Sequence, residues 1–311
     1  MPEAVGKAGQ PSGDVPRREA TGALLVASAS ALFGGVVVFG KFALRREWPV
    51  PSMLAIRFGI GAVILAIALV VLRRPLMAVR GERMGLALLA VGYAVEATLF
   101  FAALEHGTAA AVTLLFFTYP VLVTLASWGM GTGAPSRLTV LSLALAGTGT
   151  AVMVATGGRV SIERAGVLFA LGSALAYTSY LVGADRVLRR TNPLTSSMWV
   201  SAGASIGLAA YSLASGGLGI PTGWSKWWPV LGMSAATAGA FVCLLSGLKR
   251  LGAVRTSIIA ATEPLSSALL AFVFLNEEVT TGTALGGALI LSGAVAAALA
   301  RTSRPVEPPI P

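Results

Sequence analysis

Residues 44–52 read LRREWPVPS, and residues 188–196, which lie 144 positions later, read LRRTNPLTS. The leucine, both arginines, the first proline and the final serine are identical at one ungapped offset. Other pairs keep that spacing: Gly22/Gly166, Leu24/Leu168, Thr118/Thr262, Pro120/Pro264, Leu145/Leu289 and Gly149/Gly293. Chance identity between two halves rich in Leu, Ala and Gly does not account for matched prolines and a matched arginine pair. The sequence therefore predicts an internal duplication.

The composition indicates a membrane protein. Of the 311 residues, 55% are hydrophobic and only 12% are charged, and the mean hydropathy is +0.80. A soluble domain carries about 25% charged residues. The net charge of +10 could favour nucleic acid, but the basic residues lie in short gaps between apolar runs, as membrane topology requires. With one cysteine and one histidine, we expect no disulfide framework, no metal site and no cofactor.

Ten apolar stretches approach the length of about 20 residues that a helix needs to cross a bilayer. The sequence predicts an all-α membrane protein with spans at about 20–42, 52–72, 84–102, 108–130, 138–156, 166–182, 197–215, 228–248, 253–275 and 283–300. We expect residues 1–19 and 301–311 to be disordered, with a first repeat at 20–156 and a second at 166–300. Each repeat holds an odd number of helices, five, so the second must enter the membrane from the opposite face. Inverted repeats of this kind are a recurring plan of secondary transporters.

The loop charges predict the orientation. If the N-terminus is cytoplasmic, five basic residues fall in outer segments: Arg45, Arg46, Arg159, Arg164 and Lys226. Sixteen fall in inner segments: Lys7, Arg17, Arg18, Arg73, Arg74, Arg80, Arg83, Arg137, Arg186, Arg189, Arg190, Lys249, Arg250, Arg255, Arg301 and Arg304. Positive charge resists translocation, so we expect both termini in the cytoplasm and the protein in the cell (inner) membrane.

Residues 253–280, AVRTSIIAATEPLSSALLAFVFLNEEVT, carry a resemblance to a known family. A helix of small residues with Glu263-Pro264 midway and an exit at Leu275-Asn276-Glu277 is similar to the pattern of the EamA-type drug/metabolite transporters. The first repeat has the related Thr118-Tyr119-Pro120 but departs at its exit, where Gly131-Thr132-Gly133 replaces the acidic residue. The resemblance covers residues 20–300. It implies export of amino acids, other metabolites or drugs.

Two carboxylates fall inside predicted spans. Glu96 lies mid-helix in YAVEATLFF, and Glu263 precedes Pro264. A charge at the bilayer centre costs about 2.5–3.5 kcal/mol on insertion scales, so each should face a cavity or a partner. Glu96 could carry a proton or meet a substrate ammonium group, and is the candidate for coupling. The alternative for both residues is a structural hydrogen bond to a neighbouring helix, and Glu263 could be architectural.

Aromatic residues cluster at matching depths and are candidate walls of a central cavity, although core packing is the alternative for each. They are Tyr93, Phe116, Phe117, Tyr119, Tyr177 and Tyr180. Lys41 and Arg57 could bind a substrate carboxylate or extend to the membrane interface. Trp224, Trp227 and Trp228 are typical of interfacial anchors.

Two short motifs match enzyme signatures, but the surrounding residues do not fit either function. Residues 35–42, GVVVFGKF, fit the glycine-lysine frame of a P-loop, but Phe42 stands where a Mg²⁺-binding hydroxyl is needed. Residues 203–207 match GxSxG, but the only histidine, His106, is predicted in an outer loop while Ser205 is mid-membrane.

The sequence favours a non-enzymatic secondary transporter that exports a small metabolite, an amino acid or similar amine, by alternating access. An intramembrane serine hydrolase using Ser205 and a membrane scaffold or receptor remain alternatives. Expected partners are the substrate and the lipid bilayer, not nucleic acid, and the oligomeric state stays open.

Overall fold

The structure is a computed structural model of the full chain, and it describes residues 14–156, 161–214, 216, 219–276 and 279–300. All regular elements in these ranges are helical, apart from one isolated bridge between Gly107 and Ile162. Glu277 and the terminal segments 1–13 and 301–311 lie outside the described residues. The all-α prediction is confirmed.

Twelve α-helices occur in the described part of the chain, six in each half. The first half contains α1 (Asp14–Leu44), α2 (Val50–Val71), α3 (Arg83–Glu105), α4 (Ala109–Phe116), α5 (Tyr119–Ser127) and α6 (Arg137–Thr156). The second half contains α7 (Arg164–Val187), α8 (Pro193–Ala214), α9 (Trp228–Leu251), α10 (Ala253–Ala260), α11 (Glu263–Leu275) and α12 (Thr281–Leu299). Helix α1 begins six residues before the predicted span at 20, inside the segment expected to be disordered.

Two predicted spans are broken helices. The stretch expected as one helix at 108–130 is divided into α4 and α5, and the stretch at 253–275 is divided into α10 and α11. Each broken pair counts as one crossing, which gives ten crossings in the described chain. A proline follows each break and removes a backbone N–H that a continuous helix would need.

Helix α8 differs from the other crossings in composition. Nine helical segments of the described chain are long and apolar enough to cross a membrane, and α8 is not among them. Its 22 residues span about 33 Å, which is enough, but six are Ser or Thr. Thr195, Ser196, Ser197, Ser201 and Ser212 are all at most 2% exposed. Because α8 packs against α2, α3 and α9, neighbouring helices rather than lipid cover these hydroxyls.

The duplication seen in the sequence is present in the helices. A shift of 144 residues places α4 on α10 at both ends, since 109 and 116 become 253 and 260. Helices α2, α3, α5 and α6 begin 143 to 145 residues before their counterparts α8, α9, α11 and α12. The packing follows the same exchange: α1 lies on α9 and α11, while α7 lies on α3 and α5. The pairs α2/α8 and α6/α12 each join a helix to its own counterpart, as elements near a pseudo-two-fold axis must.

Loop contacts define the two faces of the bundle. On one face, Glu82 before α3 accepts hydrogen bonds from the backbone N–H groups of Arg190 (2.7 Å) and Thr191 (2.8 Å) before α8. We call this the basic face, because its loops carry Arg190 and other basic residues assigned above to inner segments. On the opposite face, Lys226 before α9 binds Glu47 after α1 at 2.7 Å. This hydrogen bond and the charge of Lys226 lower the pKa of the Glu47 carboxyl below its usual value.

These two loop contacts, called clamps below, occupy equivalent positions of the two repeats. Adding 144 to 82 gives 226, and adding 144 to 47 gives 191. Loops that are equivalent in sequence therefore meet at opposite faces, which is the geometry of an inverted repeat. The chemistry differs: an exposed ion pair holds one face, and a carboxylate bound to two backbone amides holds the other.

Helices α6 and α12 cross in close contact through glycine. A Cβ atom on Gly149 would lie 2.5 Å from the carbonyl oxygen of Gly286 and 2.8 Å from the backbone nitrogen of Ile290. Without a side chain at either glycine the two backbones can approach, as is common in membrane helix pairs. Gly282 lies at the same crossing, where a Cβ atom would meet the side chain of Thr156 on α6.

Gly149→Ala should therefore destabilise the protein, because its methyl group meets backbone atoms that cannot rotate away. Overpacking of this kind costs about 1–3 kcal/mol, so we expect a clearly lower thermal unfolding midpoint in detergent. Gly147→Ala is the matched control, since a Cβ there has open space within 4 Å. Equal midpoints for the two variants would contradict the close crossing.

Candidate functional site

Helix α3 carries Glu96 into the interior of the bundle. The residue is 6% exposed, and the hydroxyl of Ser173 on α7 donates a hydrogen bond to its carboxylate at 3.3 Å. Because α3 and α7 belong to different repeats, this contact lies at the junction between the two halves. The structure thus places Glu96 where the sequence predicted it, mid-helix and away from lipid.

The two broken helices end at equivalent points. The hydroxyl of Thr118 donates to the carbonyl of Leu115 at 2.7 Å, and that of Thr262 donates to the carbonyl of Ile259 at 2.8 Å. The backbone N–H of each threonine donates to the same carbonyl, at 3.2 Å for Thr118 and 3.0 Å for Thr262, so the threonine hydroxyl adds a second bond at the end of each half-helix. Just before the second break, the carbonyl of Ala260 accepts a hydrogen bond from the hydroxyl of Ser30 on α1 at 3.3 Å.

Tyr119 and Glu263 are the first residues of α5 and α11 and are equivalent in the repeat, since 119 plus 144 is 263. Tyr119 is 1% exposed, and its hydroxyl donates to the carbonyl of Ser257 on α10 at 3.3 Å. Glu263 lies within electrostatic range of Tyr119 and Tyr177. The two breaks therefore place a phenol and a carboxylate in the same central region.

The predicted aromatic residues form one connected cluster around Tyr177. Its ring centroid lies 4.8 Å from that of Tyr119, 5.5 Å from Phe116, 5.9 Å from Tyr180 and 6.3 Å from Tyr93. The structure thus brings together rings from α3, α4, α5 and α7. Phe117 joins at the edge, 5.7 Å from Tyr119.

Three further aromatic residues extend this cluster, and the sequence did not single them out. The ring of Tyr93 lies 5.0 Å from Phe241 and 5.8 Å from Phe58, and Phe33 lies 5.9 Å from Phe241. Phe33 is the counterpart of Tyr177, since 33 plus 144 is 177. The repeat offset could therefore have identified Phe33 from the sequence. No comparable signal marked Phe58 or Phe241.

Arg57 of α2 is the charged residue that sequence reasoning left undecided. Its charge lies within electrostatic range of Tyr93, Glu96 and Glu263. The guanidinium carbon stands 4.3 Å from the centroid of the Phe58 ring. Arg57 and Glu263 are both partly buried.

Two buried polar atoms near Glu96 have no hydrogen-bond partner among the described residues. They are the Nε of Arg57 and the hydroxyl of Tyr180, which also lies within electrostatic range of Glu96. Buried polar groups are normally paired, because an unpaired one costs about 1–3 kcal/mol. Their grouping around one carboxylate is typical of a site built to bind a polar ligand or water.

The remaining candidates lie elsewhere. The hydroxyl of Ser205 donates to the carbonyl of Ala55 on α2 at 2.8 Å. His106 lies at the end of α3, where its Nδ1 is 3.2 Å from the carboxylate of Glu163. Lys41 is in the last turn of α1, toward the opposite face. Trp224 is exposed on that face, in the connection that leads to α9.

The sequence profile of the EamA-like transporter family matches residues 20–155 and again residues 164–299. The chain belongs to this family. Both matches have the same length, and their starts differ by 144 residues, the offset read from the sequence. The family match therefore coincides with the structural repeat.

Several relatives carry transporter names. An uncharacterized transporter of Synechocystis sp., sll1319, is 29% identical over 195 residues, which cover 59% of this chain and 56% of that protein. An uncharacterized transporter of Archaeoglobus fulgidus is 27% identical over 199 residues, 64% of this chain and 70% of that protein. The chain thus spans a little over half the length of the first of these relatives. YwfM of Bacillus subtilis, also named an uncharacterized transporter, is 26% identical over 215 residues, 66% of this chain and 70% of that protein.

This chain has the same fold as a protein whose crystal structure has been solved. It superposes with a TM-score of 0.78 at 20% sequence identity, over 89% of this chain and 96% of that one. Identity at this level speaks for the fold alone. The family match and the apolar helices of the described chain identify a multi-pass membrane protein of the EamA-like transporter family.

Proposed function

We propose that the protein is a secondary transporter that exports small organic metabolites, with an amino acid or similar amine as substrate, by alternating access. The observation that carries this proposal is the group formed by Arg57, Glu96 and Glu263 at the junction of two inverted repeats. Charges inside the membrane are costly, and they typically mark substrate or ion pathways. In transporters built from inverted repeats, the substrate lies at this junction near the bilayer midplane.

Both repeats contribute to the proposed substrate site. Glu96, Tyr93, Phe116 and Tyr119 come from the first, and Tyr177, Tyr180 and Glu263 come from the second. Because residues of both repeats form this site, a rotation of one repeat against the other would change the side from which the substrate can reach it. Neither repeat would have to unfold. The aromatic rings would supply the apolar wall, and the carboxylates would bind the ammonium group.

The two clamps support a site that opens to each side in turn. Glu82 with Thr191 holds the basic face, and Glu47 with Lys226 holds the opposite face at equivalent repeat positions. Because the positions are equivalent, opening one face while closing the other exchanges the conformations of the two repeats. We assign the basic face to the cytoplasm, since translocation disfavours Arg and Lys.

We assign proton coupling to Glu96 rather than to Glu263. Glu263 is the first residue of α11, where the partial positive charge of the helix N-terminus favours a carboxylate anion. Glu96 lies in the middle of α3 and receives one hydrogen bond, from Ser173. Of the two groups, Glu96 has less to hold its negative charge and is therefore better placed to exchange a proton against a substrate ammonium.

Purified protein in liposomes should release labelled amino acids that have been loaded inside, at a rate that empty liposomes do not show. The assay needs a panel that covers acidic, basic, polar, aliphatic and aromatic side chains, because the family match does not name a substrate. Thermal unfolding of the same sample confirms that the protein is folded. Absence of release across the whole panel by folded protein would refute the proposal.

Glu96→Gln should abolish the response of transport to a pH gradient while leaving part of the substrate exchange, since the amide cannot take up or lose a proton. Glu105→Gln is the matched control on the same helix, because Glu105 is exposed and accepts a hydrogen bond from Tyr211 at 3.1 Å. We expect that variant to respond to the gradient as the wild type does. An unchanged response in Glu96→Gln would end the coupling role.

Ser136 and Thr280 provide a test of polarity, since 136 plus 144 is 280 and each caps the helix that follows it. Cysteine at each position, in a Cys243→Ala background, should be accessible from opposite sides. An impermeant maleimide should label Thr280→Cys in intact cells and Ser136→Cys only after permeabilisation. Labelling from one common side would contradict the inverted repeat, whereas the reverse pattern would contradict only the cytoplasmic assignment.

A further inference from the structure

Arg57 is a charged side chain inside the bundle that forms no ion pair with the residues the structure describes. In the described part of the chain, no carboxylate oxygen lies within 4.0 Å of its guanidinium nitrogens, and its Nε has no hydrogen bond. Both Glu96 and Glu263 are nevertheless within electrostatic range. The positive charge and the two negative charges therefore lie near one another, and no ion pair closes the space between them.

The separation itself is informative. An arginine buried near a carboxylate normally forms a paired, hydrogen-bonded contact, because an isolated buried charge is strongly unfavourable. The Phe58 ring lies against Arg57 at 4.3 Å and offers a cation–π contact, but among the described residues the buried Nε–H of the guanidinium finds no acceptor. The guanidinium is a planar fork of donors that matches a carboxylate in a bidentate geometry.

We infer that Arg57 binds the carboxylate of the transported substrate, so that the protein selects zwitterionic amino acids over simple amines. The inference rests on the proposed transport function and narrows its substrate class. A ligand that satisfies both sides of the space is negative at one end, toward Arg57, and positive at the other, toward Glu96. An amine without a carboxylate would leave the guanidinium unpaired, and an acid without an amine would add a third negative charge.

The walls of the same space indicate the side chain of the substrate. Tyr93 connects the two charged regions, because it is in electrostatic range of Arg57 and Glu96 and its ring packs against Phe241 at 5.0 Å. Tyr177 and Phe116 continue this surface with rings 5.5 Å apart. Rings on several sides favour an apolar or aromatic side chain on the amino acid.

The experiment compares amino acids with their decarboxylation products. Phenylalanine is paired with phenethylamine and leucine with isoamylamine, so that each pair differs only in the carboxylate. Transport by the full-length protein in liposomes is measured for all four compounds. For the wild type, we expect the amino acid to be moved about tenfold or more faster than its amine, since a charge-assisted hydrogen bond contributes about that factor.

Arg57→Met should reduce the ratio of amino acid to amine transport about tenfold or more, because it removes the donors while keeping a long side chain. Arg57→Lys keeps the charge but not the planar fork, and should give an intermediate ratio. If the methionine variant does not fold, as thermal unfolding in detergent would show, the lysine variant carries the comparison. Glu96→Gln should instead lower transport of both members of a pair, since both carry the ammonium group.

Two results would overturn the inference while leaving the transport function in place. The first is a wild type that moves phenethylamine and isoamylamine as fast as phenylalanine and leucine. The second is a folded Arg57 variant that slows amino acid and amine in equal proportion, which is the behaviour of a merely structural residue. A wild type that moves none of the four compounds but moves other amino acids would refute the apolar wall, and one that moves no amino acid at all would refute the proposed function.

Discussion

The absence of water in the bilayer core is the constraint on which this structure depends, because every polar group there must find its partner within the protein. Hydroxyl groups meet this requirement locally: Ser234, Thr237 and Thr178 each donate to the carbonyl four residues earlier, at 2.7 to 2.8 Å. Charged groups cannot be satisfied in this way. Arg57 and Glu96 lie at the junction of the two halves, where charges of opposite sign are near one another. The architecture and the site are therefore consequences of the same requirement.

The duplication has produced a symmetric scaffold with an asymmetric centre. Helix ends, helix breaks and face clamps recur at a spacing of 144 residues, but the side chains of the site do not. The positions equivalent to Arg57 and Glu96 are Ser201 and Ala240, so the first repeat supplies the arginine and the mid-helix carboxylate. A site whose arginine and mid-helix carboxylate have no counterparts in the other repeat holds a polar ligand in one orientation. A site with the same carboxylate in both repeats would not favour one orientation of the ligand over the other.

Much of the fold could be predicted from the sequence, because the duplication and the loop charges do not depend on packing. The repeat offset, the all-α class and the meeting of Glu96 with the aromatic residues were all accessible in this way. The breaks between α4 and α5 and between α10 and α11 were not predicted, although Pro120 and Pro264 mark their places, because proline can bend a helix without ending it and each stretch is long enough for one span. Hydrophobic periodicity identifies the buried face of a helix in water, but it fails where lipid and neighbouring helices are equally apolar. For that reason nothing in the sequence showed which way Arg57 faces.

The breaks also explain how one bundle can hold opposite charges at the same depth. A continuous helix presents its polar ends only at the membrane surface, whereas α5 and α11 begin inside the bundle, with Tyr119 and Glu263 as their first residues. The N-terminus of α11 favours the negative charge of Glu263, which in turn balances Arg57 across the space. In the proposed mechanism, Glu96 is then the remaining charge, and a proton or a substrate ammonium group neutralises it. Competition of these two cations for one carboxylate is sufficient to couple their movements in opposite directions.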